Sequence, residues 1–337
     1  MGEIQVLMTV PFPEAMLDRL RAVSPRLSLH THPARRAEDL PAHLLPEVEI
    51  LYTLSALPLP AQAPRLRWVQ FHYAGIDHAL DHPLVQAGVT VTTMSGAAVP
   101  QMAEFAWMAI LALGRHLPGM LRDQANHHWD EDRFRRFRPV ELRGSTVGIV
   151  GYGSIGREVG RLARAFGANV LAVKRDLMHL EDDGYRLDGT GDPDATQVDR
   201  LYPPQAVGSM AEQCDFLVVT VPLTPETRDM IGPEVFKRMK ATAYLIDISR
   251  GEVVDQAALI DALREQRLAG AALDVYPVEP LPEDSPLWEM PNVLLSPHVA
   301  GASGAYFERA TAVFAENLRR YLADQPLLNR FDPRRGY

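Results

Sequence analysis

The sequence predicts an α/β protein of two lobes, the second of which contains a doubly wound parallel sheet. Two observations predict this fold class. Short runs of β-branched and aliphatic residues alternate with helical patterns along most of the 337 residues, which is typical of parallel strands joined through helices. One of these runs also leads into three glycines whose spacing suits a tight turn from a strand into a helix. Such a turn opens a Rossmann-type sheet.

The strands of the first lobe are predicted by short apolar runs that proline-rich turns separate. These runs cover residues 4–10, 27–30, 50–52, Trp68–Phe71 and 89–92. Apolar residues at three- and four-residue steps predict a helix over residues 13–23. The lobe is expected to be a parallel α/β unit that ends near residues 94–97.

The glycine turn is predicted to follow a buried strand at Thr146–Val150 and to begin a helix that ends near Gly167. Its residues are Gly151, Tyr152, Gly153, Ser154, Ile155 and Gly156. In this G-x-G-x-x-G spacing the first glycine permits the turn, the second admits a pyrophosphate, and the third lets helix and strand pack closely. The pattern therefore predicts a dinucleotide site; the alternative is a glycine-rich turn without a ligand.

The second lobe continues as alternating strands and helices. Further strands are predicted at Asn169–Val173, 216–221, 243–248, 269–275 and 293–296. The interval 176–205 is acidic, rich in turn residues and long for a link between neighbouring strands, so it is predicted to be a mobile surface insertion. A calcium loop is the alternative, but the interval lacks the terminal glutamate of an EF-hand.

Two long helices are predicted outside this alternation. Residues 99–113 are apolar nearly all round, which indicates a helix buried on more than one face, beneath a domain core or in a subunit interface. Residues 305–322 carry apolar side chains at helical spacing. This last helix is long enough to cross back onto the first lobe.

Composition excludes several classes of function. With 34 basic and 43 acidic residues, the net charge of −9 gives no general attraction to nucleic acid or to an anionic membrane. Cys214 is the only cysteine, which excludes an intramolecular disulfide and indicates a cytoplasmic protein.

The start of the chain lacks a basic signal region, and the longest apolar stretch is too short to span a bilayer. His127 and His128 lack a completing carboxylate spacing, so no metal is expected.

Three polar residues follow predicted strands of the second lobe. Arg250, Glu279 and His298 come directly after the strands near residues 243–248, 269–275 and 293–296. Ligands of open α/β sheets bind at the edge where these strands end. Histidine can give and take protons near neutrality, a carboxylate can orient its ring, and arginine can bind a carboxylate in a bidentate fashion. The three residues together predict a catalytic site.

Motifs along most of the chain resemble those of the D-isomer-specific 2-hydroxyacid dehydrogenase family, in the family's order. They lie at residues 71–77, 151–156, 221–227, 248–251, 273–275 with 279–281, and 296–301. The resemblance implies that residues 1–97 and 302–337 form a flavodoxin-like substrate domain, with a Rossmann dinucleotide-binding domain at residues 98–301 inserted between them. It also implies a homodimer built on the helix and arm after Val99, and a small 2-oxo or 2-hydroxy acid as substrate.

The resemblance also assigns roles to single residues. His298 would exchange the proton, Glu279 would orient it, and Arg250 would bind the carboxylate and carbonyl of the substrate. Backbone amides of Ala74, Gly75 and Ile76 would cradle the same carboxylate when the domains close. Glutamate rather than glutamine at position 279 argues against the formate dehydrogenase branch. Asp274 would contact the nicotinamide amide. The other cofactor contacts that the resemblance implies are Val221, Pro222, Thr227, Ile248, Ser249 and Gly301.

The residues after the second strand predict which nucleotide is used. An acidic residue that binds the adenine ribose is expected there, but Val173 is followed by Lys174 and Arg175. Two cations can pair with a 2′-phosphate, which predicts NADP(H). If Asp176 reached the ribose instead, the cofactor would be NAD.

These observations predict a reductase of small 2-oxo acids, of the glyoxylate or hydroxypyruvate kind, that uses NADPH. Two alternatives remain open at this stage. One is an NAD-dependent D-2-hydroxyacid dehydrogenase such as a phosphoglycerate dehydrogenase. The other is a non-catalytic scaffold that senses a dinucleotide, which the presence of Arg250, Glu279 and His298 disfavours.

Overall fold

The computed structural model describes residues 2–182 and 184–332. The chain forms two compact units: unit 1 is Met1–Ala98, Gly184–Leu187 and Ser303–Tyr337, and unit 2 is Val99–Asp183 and Asp188–Ala302. Each contains a parallel sheet with helices, which confirms the predicted fold class. The family resemblance implied one domain at residues 98–301, whereas Ala98 and the four residues Gly184–Leu187 lie in unit 1 and Ala302 lies in unit 2.

The elements have the following bounds in chain order, apart from short 3-10 turns. They are β1 (Ile4–Met8), α1 (Glu14–Arg21), β2 (Leu27–Thr31), β3 (Val48–Thr53), β4 (Trp68–Phe71), α2 (Pro83–Gln86), β5 (Thr90–Thr92), α3 (Val99–Gly114), α4 (Leu117–Ala125), α5 (Arg133–Arg136), β6 (Thr146–Val150), α6 (Ser154–Ala165), β7 (Asn169–Val173), β8 (Arg200–Tyr202), α7 (Val207–Ala211), β9 (Phe216–Val219), α8 (Pro233–Arg238), β10 (Tyr244–Asp247), α9 (Gln256–Arg264), β11 (Gly270–Leu273), β12 (Val293–Leu295) and α10 (Tyr306–Leu322).

Unit 1 is built on a parallel five-stranded sheet in the order β2-β1-β3-β4-β5. This is the flavodoxin-like strand order. In β1, Val6 and Met8 pack on the face that Phe314 of α10 covers, whereas Leu7 packs on the other face with Val69. Both faces are therefore buried, which is why the strands are nearly continuous apolar runs.

The segment Gly184–Leu187 is held within unit 1 through the side chain of Asn329. The amide of Tyr185 donates to Oδ1 of Asn329 at 3.1 Å, and the side-chain amide of Asn329 donates to the carbonyl of Ser95 at 2.8 Å. Gly96 has a φ of +89°, and a Cβ on it would overlap the carbonyl oxygen of Tyr185. Glycine is thus required at position 96 by conformation and by contact.

Unit 2 is built on a parallel seven-stranded sheet in the order β12-β11-β10-β9-β6-β7-β8. Counted from β6, this is the Rossmann order with a seventh strand added at one edge. Val147 and Ile149 of β6 pack on one face with α3 and α6, whereas Val150 packs on the other. The carboxyl ends of β6, β9, β10, β11 and β12 consequently meet along one edge of the sheet.

The prediction that residues 176–205 are only a surface insertion is wrong. The interval contains β8, which pairs with β7 in parallel at the edge of the sheet. Ala195 and Val198 pack against the core beneath α6, and Asp192 is 2% exposed. A three-residue edge strand shows no usable hydrophobic period, so the acidic, turn-rich composition around it concealed its place in the sheet.

Cys214 is a buried side chain. Its sulfur lies against Gly148 in the middle of β6, where a Cβ would overlap it. Burial raises the pKa of the Cys214 thiol to about 12. The thiol is therefore protonated at ordinary pH and fills space in the core.

The predicted long helix α3 is buried along most of its length. Ala103, Ala106 and Ile110 are fully enclosed, whereas Met108 and Leu111 are exposed. Within residues 2–182 and 184–332, none of the helices combines the length and the apolar character that a membrane crossing requires.

Candidate active site

The glycine turn meets three separate steric requirements. Gly151 has a φ of +107°, and a Cβ on it would lie 2.8 Å from Cγ1 of Val221. A Cβ on Gly156 would overlap the carbonyl oxygen of Gly151, so the first turn of α6 packs directly on the turn. Gly153 has nothing within 4 Å of its Cβ position. Open space at the amino end of α6 fits a pyrophosphate, because the first N–H groups of a helix lack intrahelical partners.

The end of β7 is bonded directly to the glycine turn. The carbonyl of Val173 accepts hydrogen bonds from the amides of Gly151 at 3.1 Å and Tyr152 at 3.0 Å. The amide of Lys174 donates to the carbonyl of Tyr202 in β8 at 3.0 Å. Lys174 and Arg175 therefore leave the sheet beside the turn, where an adenine ribose is bound in Rossmann sheets.

The loop after β9 closes over the same edge of the sheet. The hydroxyl of Thr220 donates to the carbonyl of Gly151 at 2.8 Å. The hydroxyl of Thr227 accepts from the amide of Thr224 at 2.8 Å and donates to the carbonyl of Pro222 at 2.7 Å. The side chain of Thr227 thus shapes the loop that places Val221 against the glycine turn.

The loop after β10 carries Arg250. Asp247 is buried at the end of the strand, and its Oδ1 accepts from the amide of Ser249 at 3.0 Å and from its hydroxyl at 2.6 Å. The Arg250 guanidinium donates to the carbonyl of Ser249 at 2.8 Å. A Cβ on Gly251 would overlap the backbone of Tyr276. The lack of a side chain at Gly251 therefore lets the Arg250 loop pack on the loop after β11. Ile248, the first residue after β10, is buried.

Glu279 and His298 form a hydrogen-bonded pair. Nδ1 of His298 lies 2.8 Å from Oε2 of Glu279, and Oε1 of Glu279 accepts from the amide of Tyr276 at 3.0 Å. The carboxylate is thus oriented by the backbone of its own loop. When Nδ1 is protonated and donates a hydrogen bond to Glu279, Nε2 remains available to exchange a proton with a substrate.

Asp274 holds the loop on which His298 lies. Its Oδ1 accepts from the hydroxyl of Ser296 at 2.7 Å and from the amide of Val299 at 2.8 Å, and its Oδ2 accepts from the amide of Ala300 at 2.8 Å. His298 has a φ of +53°, which a non-glycine residue adopts only when its surroundings impose it. Sequence reasoning assigned Asp274 to the cofactor and missed this positioning role. Its place at the end of β11, beside β12, was the available signal.

Arg250, Glu279 and His298 lie along one edge of the sheet because they follow neighbouring strands. β10, β11 and β12 are adjacent and parallel, so the loops after them lie at one edge. The edge combines a cation suited to a carboxylate with a histidine that can give or take a proton. Gly301 lies on the same loop as His298, and its carbonyl accepts from Gln101 at 3.0 Å.

The predicted carboxylate loop lies in unit 1, directly after β4. Ala74 is exposed, Gly75 is half-buried, and the side chain of Ile76 is buried in the core of the unit. Ile76 thus anchors the loop, and the backbone of Ala74 and Gly75 lies near the surface of the unit.

Buried aromatic side chains fix the start of this loop. The hydroxyl of Tyr52 lies 2.7 Å from Nδ1 of His72, and the hydroxyl of Tyr306 donates to the carbonyl of His72 at 2.6 Å. Burial lowers the pKa of His72 to about 4. His72 is therefore neutral near pH 7, and it positions the loop without contributing charge.

Asp123, His128 and Asp130 each bring one possible ligand atom within 4.8 Å of the others. The guanidinium of Arg136, however, pairs with Asp123 at 2.8 Å and with Asp130 at 2.7 Å. Arg136 already supplies the positive charge that these two carboxylates require, so the cluster is better described as an ion-pair network than as a metal site.

The buried carboxyl of Asp247 is expected to make stability depend on pH. Burial, with the nearby charge of Asp274 adding to it and the bonds from Ser249 opposing it, raises the pKa of Asp247 from 3.8 to about 7. Its contribution to the free energy of unfolding should be fully present below pH 3.8 and be lost as pH rises through about 7. Urea unfolding from pH 4 to 8 should show this loss in the wild type and a flatter profile in Asp247→Asn.

Asp284→Asn, an exposed carboxylate after β11, is the matched control and should retain the wild-type profile. An equally steep fall in Asp247→Asn would assign the pH dependence to other groups.

Comparison with sequences of known proteins identifies related enzymes. The family model described as "D-isomer specific 2-hydroxyacid dehydrogenase, NAD binding domain" matches residues 107–300. A glyoxylate reductase of Korarchaeum cryptofilum is 36% identical over 282 residues, covering 81% of this chain and 79% of that protein. A glyoxylate reductase of Thermococcus gammatolerans is 32% identical over 327 residues, covering 93% and 91%.

Solved structures show the same relationship. A D-isomer specific 2-hydroxyacid dehydrogenase from Xanthobacter autotrophicus Py2, in complex with NADPH and MES, matches all of both chains with a TM-score of 0.82 and 30% identity. An NADPH-dependent glyoxylate/hydroxypyruvate reductase from Sinorhizobium meliloti, in complex with NADP and sulfate, matches with a TM-score of 0.79 and 25% identity over 99% of this chain. Since the family model covers more than half of the chain and the relatives share its length, the chain belongs to the D-isomer specific 2-hydroxyacid dehydrogenase family, as the motifs predicted.

Proposed function

We propose that this NAD(P)-dependent D-2-hydroxyacid dehydrogenase is an NADPH-dependent reductase of small 2-oxo acids, of the glyoxylate or hydroxypyruvate kind. The observation that carries the proposal is the 2.8 Å bond between His298 and Glu279, at the same sheet edge as Arg250. A scaffold that only bound a dinucleotide would have no need of this arrangement. The glyoxylate reductases among the relatives support the substrate class.

The chemistry follows from the roles that these side chains can take. When bound, a reduced nicotinamide would supply the hydride that reduces C2 of the 2-oxo acid. Arg250 pairs with the substrate carboxylate and polarises the carbonyl, and protonated His298 donates the Nε2 proton to the oxygen that becomes the hydroxyl. Glu279 keeps the imidazole oriented through Nδ1 and stabilises the positive ring before it gives up the proton. The amides of Ala74, Gly75 and Ile76 stay predicted ligands of the carboxylate.

Variants of His298 and Glu279 test this chemistry directly. Wild-type protein should oxidise NADPH when glyoxylate or hydroxypyruvate is added. His298→Ala should lower kcat by about 10²- to 10⁴-fold, the usual contribution of a general acid, and should leave the Kd for NADPH within about twofold. Glu279→Gln should lower kcat without raising the KM for the acid, because an amide cannot orient and charge-stabilise the ring in the same way.

His43→Ala, which removes an exposed histidine of unit 1, serves as the control and should keep wild-type kcat. Folded His298→Ala protein that still turned over within about threefold of wild type would remove His298 from the proton transfer. A wild-type protein that bound NADPH and reduced no acid in a panel of 2-oxo acids would instead favour the dinucleotide-sensing scaffold.

The preference for NADPH is supported by the end of β7. Lys174 and Arg175 follow that strand directly, and each can pair with a 2′-phosphate. Asp176 is engaged in its own turn: Oδ1 accepts from the amide of Met178 at 2.9 Å, and Oδ2 lies 2.8 Å from Nδ1 of His179. These bonds, the one from His179 foremost, lower the pKa of Asp176. A carboxylate held in this way is a poor candidate for the ribose hydroxyl that NAD presents.

The ratio of kcat/KM for NADPH and NADH tests the cofactor. We expect the wild type to favour NADPH, and Arg175→Ala to lower kcat/KM for NADPH by about 10-fold or more through KM, since a hydrogen bond to a charged group contributes about 1.5–3 kcal/mol. Values for NADH should change little. Arg264→Ala, at an exposed position on α9, is the control, and a clear wild-type preference for NADH would overturn the assignment.

The proposal includes a homodimer formed through α3, α4 and α5. Large apolar side chains are exposed along this part of unit 2. Monomeric proteins rarely expose large contiguous apolar patches. The exposed side chains are Met108, Leu111, Leu117, Met120, Leu121, Trp129 and Phe134. Light scattering should give twice the 37.5 kDa of the chain, and Leu121→Glu should shift the mass toward the monomer. Leu59→Glu is a matched control in unit 1, because both leucines are 54% exposed. A monomeric wild type would contradict the dimer.

The proposed location is the cytoplasm. The single cysteine is a buried, protonated thiol, so the fold requires no oxidising compartment for disulfide formation. The proposed cofactor and 2-oxo acid substrates are small metabolites, which fits the same compartment.

A further inference from the structure

The interval between β7 and β8 reaches the glycine turn through one side chain. Tyr152, the residue between the first two glycines, is 1% exposed. Its hydroxyl donates to Oδ2 of Asp192 at 2.6 Å. Asp192 lies forty residues further along the chain, in the acidic part of the interval. A residue of the cofactor turn is therefore held by an interval for which no function was predicted from the sequence.

Asp192 is itself fixed by the interval around it. Its Oδ1 accepts from the amide of Thr196 at 2.8 Å and from the hydroxyl of Thr196 at 3.1 Å, and its Oδ2 accepts from the amide of Gln197 at 2.9 Å. Burial opposes ionisation of Asp192, but the bonds from Tyr152, Gln197 and Thr196 outweigh it and lower the pKa of the carboxyl below 3.8. Asp192 is thus a carboxylate at ordinary pH and a rigid acceptor for Tyr152.

The first turn of α6 is attached to the same interval. The guanidinium of Arg157 is buried, lies 5.2 Å from the centroid of the Tyr152 ring, and donates to the carbonyls of Asp192, Pro193 and Leu180. Glu158 accepts from the amide of Gly191 at 2.6 Å. The interval between β7 and β8 is therefore hydrogen-bonded both to the glycine turn and to α6.

The position of the Tyr152 ring determines the position of the turn. A Cβ on Gly160 would lie 3.1 Å from the Tyr152 hydroxyl, so the ring packs directly against the backbone of α6. The amide of Tyr152 donates to the carbonyl of Val173. The peptide that follows Tyr152 leads to Gly153, whose Cβ position is open. A shift of the ring would therefore tilt the backbone that faces a pyrophosphate.

We propose that Asp192 acts through Tyr152 as a positioning residue for cofactor binding, because it holds the glycine turn in the geometry that binds the pyrophosphate. The inference rests on pyridine-nucleotide binding by this family. It is independent of the choice between NADP and NAD and of which acid is reduced.

Tyr152→Phe is the mildest test, because Asp192 keeps its three other donors. The Kd and KM for NADPH and for NADH should both rise on the order of tenfold, since the pyrophosphate is common to the two. The kcat and the KM for the acid should stay within about twofold. Nucleotide binding is measured by quenching of protein fluorescence or by calorimetry, which needs no turnover.

A double-mutant cycle separates positioning from general stabilisation. Asp192→Asn should raise the Kd for the nucleotide in the wild-type background. It should raise Kd little further in the Tyr152→Phe background, because both substitutions break the same hydrogen bond between Tyr152 and Asp192. Asp194→Asn is the matched control, since it makes the same change at an exposed position two residues away. It should bind both nucleotides like the wild type.

Two results would overturn the inference. One is Tyr152→Phe protein with a lower Tm and unchanged Kd for both nucleotides, which would make the contact merely structural. The other is an effect of Asp192→Asn on Kd that is undiminished in Tyr152→Phe. Failure of the proposed function gives a different result, since a wild type that bound nucleotide and reduced no 2-oxo acid would still allow both Kd comparisons.

Discussion

The parallel alignment of the strands in unit 2 is the constraint on which the site depends. The carboxyl ends of parallel strands lie at the same edge of their sheet, so the loops after adjacent strands lie side by side even when they are far apart in sequence. Arg250, Glu279 and His298 share that edge because β10, β11 and β12 are adjacent in the sheet. The glycine turn lies at the same edge because it follows β6, which is parallel to the other strands.

Buried aspartates then determine the shape of the loops at that edge. Asp247 accepts from Ser249 beside Arg250, Asp274 accepts from Val299 and Ala300 beside His298, and Asp192 accepts from Tyr152 in the glycine turn. A carboxylate removed from water requires hydrogen-bond donors. Backbone amides of the loops supply many of these donors. The hydrogen bonds that each aspartate accepts therefore also fix the conformation of a loop. Reacting groups can thus be exposed while their supports are buried.

Close backbone approach is the second device that organises the site. Gly156 lets α6 contact the glycine turn, and Gly251 lets the Arg250 loop contact the loop that carries Glu279. In each place a single Cβ would overlap backbone atoms, which cannot move as the end of a side chain can. The two loops can therefore share one edge without an intervening layer of side chains.

The features that local physics controls could be predicted from the amino-acid sequence alone. Mostly apolar runs of four or five residues marked Trp68–Phe71, Thr146–Val150 and Asn169–Val173 at their observed bounds, because a strand buried on both faces is mostly apolar. The spacing of three glycines marked the turn, and polar residues after strands marked the candidate catalytic site. The remaining features depend on contacts between distant parts of the chain. β8 is a strand because β7 offers it an edge, and Asp192 faces Tyr152 because the interval folds back over α6. Such long-range contacts leave no period or spacing in the sequence, since neither partner constrains the residues next to the other.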